Sequence, residues 1–103
     1  MPEVIYKICM STPLGKKKGT MGVGKKGNKL KGWLNILEHR EPFEGKIDDM
    51  GNCRISGVFI TLIRTVPYIA TGQISDSFVH LQIQGKRNVF DLSGIVSTES
   101  EEQ

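Results

Sequence analysis

Arg40, Arg64 and Arg87 recur at intervals of 24 and 23 residues. Each stands three or four residues ahead of an aromatic: Phe43, Tyr68 and Phe90 respectively. Each aromatic leads into a short β-forming run that contains a glycine, at Gly45, Gly72 or Gly94. One further step back reaches the cluster Lys16-Lys17-Lys18. Self-similarity at a fixed period constrains architecture more than any local propensity does. Two dozen residues accommodate two short strands and their turns, so the repeated unit is read as a β-hairpin.

The chain between these markers supports that reading. Val4 to Met10 alternates, with Val4, Tyr6, Ile8 and Met10 in one phase. Ser11 to Gly15 punctuates, and Thr20 to Gly24 reads as a short strand. Gly24 to Asn28 has the composition of a hairpin turn, because glycine and asparagine accept positive φ. Strands are expected over 30–38, 43–48, 53–63, 68–74, 78–84 and 90–94. The 78–84 run alternates cleanly, with Val79, Leu81 and Ile83 against His80, Gln82 and Gln84. A helix over 33–39 is the weaker reading, given Pro42 and the surrounding glycines.

Eight strands with short connections must pair sequentially and antiparallel, since a parallel crossover needs a dozen or more residues. The expected fold is all-β: an eight-stranded antiparallel up-and-down meander closed into a small barrel. The alternatives are a strongly twisted open sheet or a sandwich. Closure removes the exposed edges. It also suits Gly32, Gly45, Gly57, Gly72 and Gly94, which fall in the inward phase where a tightly coiled strand has little room. A single domain over 1–97 is expected, followed by an acidic tail over 98–103 with nothing to bury.

Charge gives the functional lead. The formal net charge is +3, and without Glu99, Glu101 and Glu102 the rest of the chain stands three units higher, at +6. In a meander, alternate turns lie at one end. The turns at 11–18, 39–42, 64–67 and 85–88 are therefore expected on one rim, carrying Lys16, Lys17, Lys18, His39, Arg40, Arg64, Lys86 and Arg87 against Glu38 and Glu41. The other rim sets Lys25 and Lys26 against Asp48, Asp49 and Asp76. Arginine suits phosphate because its planar fork donates two parallel hydrogen bonds. The leading expectation is a receptor or sequestering protein for a small anionic ligand, a nucleotide or other phosphate compound first. Arg40, Arg64 and Arg87 would grip the anion, the lysines would raise the potential, and Tyr68 would contact a ring. Phe43 and Phe90 read more simply as core aromatics.

From Val58 to Ile63 both phases of the strand are apolar. One phase meets the core and the other needs cover. Val58, Ile60 and Leu62, with Trp33, Leu37 and Ile69 beside them, are read as the interface of a homo-oligomer, a two-fold dimer first. An interaction or inhibitor module using this strand and the basic rim is the alternative function. Nucleic acid is a less favoured partner, because most of the seven aromatics are in phase with the core.

Nothing in the sequence suggests catalysis. His39 and His80 lack cysteine or carboxylate partners at metal-ligand spacing, so no metal, cofactor or catalytic residue is expected. Gly22 to Gly27 lacks the strand-to-helix context of a phosphate loop. Cys9 and Cys53 are unpatterned thiols, and no apolar run is long enough to cross a bilayer. A reducing, cytoplasmic setting is expected.

Overall fold

The computed structural model describes residues 3–12, 15–36, 39–60, 65–85 and 88–97, with His39 described by its backbone only. Eight strands follow one another: β1 (Val4–Thr12), β2 (Gly15–Lys26), β3 (Lys29–Ile36), β4 (His39–Ile47), β5 (Asn52–Ile60), β6 (Thr65–Ile74), β7 (Phe78–Gln84) and β8 (Val89–Val96). Each pairs antiparallel with its successor, and β8 returns to β1 through a register that includes Ile8↔Gly94 and Met10↔Leu92, closing the barrel.

The inward phase is apolar and filled. Tyr6, Met21, Leu30, Ile55, Val79, Ile83 and Leu92 are its most completely buried side chains. At roughly 1.5–3 kcal/mol for each large apolar side chain removed from water, this core supplies the main favourable term. Two inward glycines show why alternation alone does not describe it. A Cβ at Gly45 would meet the backbone of Arg54 and Ile55 on β5, so the strands there approach too closely for any side chain. A Cβ at Gly57 would meet the ring and hydroxyl of Tyr68, so that glycine makes room for an aromatic.

Strand bounds differ most from expectation in β2. Pairing runs through all three lysines, as Ser11↔Lys16, Met10↔Lys17 and Cys9↔Lys18. Lys16–Lys18 thus belong to a strand rather than a rim turn. Lys16 and Lys18 point outward and keep their amines in water, and Lys17 lies near the strand end, so charge did not end the strand. Similarly, β4 includes Arg40 and Pro42, and β6 includes Pro67. The β4–β5 pairing stops at Phe43↔Gly57, one residue short of Pro42, whose nitrogen has no proton to donate.

The end that carries the 27–28, 48–51 and 75–77 turns is tied by polar contacts. The Tyr6 hydroxyl donates to the Ser75 carbonyl at 2.5 Å. Asp48 Oδ1 accepts from the backbone N–H groups of Met50 and Asn52, while Oδ2 accepts from Asn52 Nδ2. These bonds, that from the Asn52 side chain first, hold the Asp48 carboxyl below its ordinary pKa. Gly51, with φ +88°, completes the turn in a conformation that glycine adopts without strain.

Candidate functional site

The closed meander sends the strand ends Thr12/Gly15, Ile36/His39, Ile60/Thr65 and Gln84/Val89 to one rim, as the hairpin period requires. Arg64, Lys86, Arg87 and Leu62 lie outside the described residues, as does the His39 side chain. The remaining cations expected at this rim divide by phase. Lys17 lies opposite Met10 in the inward phase and is half-buried, so it faces the mouth. Lys16 and Lys18 are exposed in the outward phase, and Arg40, opposite Asn35, is on the outer wall as well.

Tyr68 is a core residue, 5% exposed, with its ring stacked on Phe59 at a centroid distance of 4.6 Å. Burial pushes its phenol up to about 12. Any contribution it makes to a ligand comes from beneath the mouth rather than from an exposed face. Phe43 is buried and Phe90 packs against the core, as their phase implied.

The register assembles a second grouping that the sequence reading passed over. Lys26 pairs with Lys29, Lys29 with Lys46, and Lys46 with Arg54. Four cations thus stand directly opposite one another across β2, β3, β4 and β5, all exposed. Three interstrand spacings of about 4.8 Å make this row roughly 14 Å long. Like charges directly opposite on neighbouring strands destabilise a sheet. Lys31 stands one row above, opposite Glu44, which is the one acid among the described outward residues of β2–β5. Beside the row, toward the 48–52 turn, lies an open groove of about 560 Å³ lined by Asn28, Lys46, Asp48, Asn52, Cys53 and Arg54 among others. Cys53, buried in the inward phase of β5, also lines the groove, and burial raises its thiol to about 11, which disfavours the reactive thiolate.

The same wall carries the sole tryptophan. Trp33 is outward on β3, two positions beyond Lys31, and pairs with Gly22 on β2. A Cβ at Gly22 would meet the indole, so the ring lies across the glycine, which explains why outward-phase Gly22 is buried. The Arg40 guanidinium sits over the indole, 4.0 Å from its centroid. An exposed contact of this kind is worth ~0.5–1 kcal/mol, whereas a base stacked on an aromatic is worth ~1–3 kcal/mol.

The expected oligomer surface is present in part. Ile60 is 36% and Ile69 39% exposed, while Val58, half-buried, pairs with the exposed Pro67. Trp33 pairs with Pro42, and the Phe43↔Gly57 pair next to it brings Pro42 beside Val58. Of the apolar side chains named from the sequence, Trp33, Val58, Ile60 and Ile69 form, with Pro42 and Pro67, a stripe over β3–β6, while Leu37 and Leu62 lie outside the described residues.

The signal that could have revealed the cation row was the outward phase itself. Lys29 and Lys31 alternate with Leu30 and Gly32, and Lys46 and Arg54 flank inward Ile47 and Cys53. The two-residue Gly27-Asn28 turn, with Gly27 at φ +63°, then fixes Lys26 opposite Lys29. Grouping charges by turn rather than by row hid this. No protein-family model, curated protein or solved structure matches this chain.

Proposed function

We propose that this chain is a non-enzymatic binding protein for an anionic partner, and that the outer wall of β2–β5 meets an extended one. The observation that carries this reading is the row Lys26–Lys29–Lys46–Arg54, four directly opposed cations on consecutive strands. Surface charge kept for solubility alone is better dispersed, because opposed like charges cost stability. A polyanion laid across the row would neutralise several cations at once and release its condensed counterions. Binding of inorganic polyphosphate should therefore weaken steeply with salt, with a log–log slope of roughly 3 or more. Binding that ignores salt, or no binding at low salt, rejects the reading.

A second reading is favoured by the shared rim. A small phosphate compound, a nucleotide first, would sit at the mouth above Lys17, gripped by Arg64, Arg87 and Lys86. A ligand that binds only the folded state raises the melting temperature by mass action, by about 2.7 kcal/mol of stabilisation at a hundredfold excess over Kd. A thermal-shift screen of nucleotides should show this increase, and Arg64→Ala should abolish it with the fold retained. A shift that survives Arg64→Ala removes the rim from consideration.

A further inference from the structure

We infer that the extended partner is a single-stranded nucleic acid, with the cation row holding its backbone and Trp33 stacking one of its bases. This rests on the polyanion reading and narrows it. A polyanion without rings needs cations alone, and a duplex hides its base faces. The wall, however, offers an aromatic face on the same strand as Lys29 and Lys31, with Trp33 about 6–7 Å beyond Lys31 along β3. Single-strand binders combine these two elements: a cationic track for phosphates and a ring for bases.

The ring is held for such a role. Gly22 supports the indole from beneath, and no side chain on β2 competes for that position. The Arg40 guanidinium, which sits over the ring, belongs to an exposed residue. An exposed cation–π contact is weaker than base–aromatic stacking, so a base displaces the guanidinium from the ring. Arg40 is then free to pair with the phosphate that the base brings. No helix is present among the described residues to enter a major groove, and the barrel wall is convex, which disfavours a duplex.

Trp33 is its own reporter, being the sole tryptophan. The full chain is titrated at low salt with an oligothymidylate of about 20 nucleotides, the corresponding duplex, heparin, phosphatidylserine vesicles and polyglutamate. The oligothymidylate should quench Trp33 emission by roughly half or more, heparin should bind without that quench, and the duplex should bind about tenfold more weakly. With a labelled oligothymidylate, Trp33→Ala should lower affinity about tenfold and Trp33→Phe should recover most of it, while heparin affinity stays within about twofold. The quench in the unaltered chain is independent of whether either variant folds. Equal binding of heparin and oligothymidylate with no quench overturns the stacking while leaving the polyanion reading intact. Preference for the duplex, the vesicles or polyglutamate overturns the single-strand assignment. Failure of every probe at low salt overturns both readings.

Discussion

Followed from partner to partner through the register, the outward phase passes Lys26, Lys29, Lys46 and Arg54, and then Thr71, Gln82, Asp91 and Ser11. The two halves share a core, a strand pattern and a register, and differ in what the outward phase carries. On β2–β5 that phase is cationic, with Trp33 among the lysines. On β6–β8 and β1 it is mostly uncharged, with Gln73, Gln82, Gln84, Ser93 and the exposed Phe78, Val89 and Ile95; Asp91 and Lys7 are its only Asp, Glu, Lys or Arg among the described residues. The core cannot have produced this division, since the buried side chains are apolar all the way round. Solubility would be served by either sign anywhere on the surface. Positive charge concentrated on one wall, and held there against its own repulsion, is what a surface for a polyanion requires.

The strongest challenge to this contrast keeps total charge equal and moves only its location. The triple Lys29→Gln/Lys46→Gln/Arg54→Gln lowers net charge by the same amount as Thr71→Glu/Gln82→Glu/Ser93→Glu. The first should cut affinity for oligothymidylate by roughly 100-fold at low salt and reduce the salt slope by about 2. The second should cost only a few-fold, through the long-range field. Equal losses in a filter-binding or anisotropy titration would mean that net charge alone governs binding and that the two walls are functionally alike.

The boundary between the walls gives a smaller test. Val58, Ile60, Pro67 and Ile69 lie along β5 and β6, where the cations stop. We propose that this seam pairs two copies of the chain about a two-fold axis, since exposed apolar side chains concentrated in one place need cover. Light scattering at micromolar concentration should give a dimer, and Ile69→Lys should yield a monomer with an unchanged melting temperature measured on the monomer. A monomeric unaltered chain removes the seam from the interface and leaves the walls to be compared as parts of one molecule.

What could be read from the sequence, and what could not, follows the same geometry. Strict alternation at 78–84 and the apolar phase of β1 give strands and their inward faces directly, because a one-residue slip would expose every core side chain. Short turns then force the meander and its closure. The hairpin period correctly assigns alternate strand ends to one rim. It does not show that Lys16, Lys18 and Arg40 belong to the strands that reach that rim and point outward from them, because strands run on through charged residues whenever those point outward. Nor does local pattern reveal that Lys29, Lys46 and Arg54 are neighbours, since this depends on two successive registers, one across β3–β4 and the next across β4–β5. Trp33 over Gly22 needs the register of β2 and β3 together with the fact that glycine leaves the site open.

The smallest expected effect separates two explanations for the cations. Lys29 has Lys26 opposite it on one side and Lys46 on the other. Lys29→Glu turns both like-charge pairs into opposite-charge pairs, each worth ~0.2–1 kcal/mol across strands. Exposed ion pairs fall toward the low end, so the sum is about 0.5–1 kcal/mol in favour of the variant. For a domain of this size that raises the melting temperature by roughly 2–8 °C, and salt should shrink the gain by screening it. The same substitution should weaken oligothymidylate binding about tenfold, because it removes one phosphate contact and places a repelling charge in the middle of the row. A gain in stability joined to a loss of binding is the pattern of a surface kept at some cost to the fold. A variant that is no more stable would show that Lys26, Lys29 and Lys46 are too well solvated to feel one another. The row would then be only one more patch of dispersed surface charge, and the difference between the walls would lose its physical meaning.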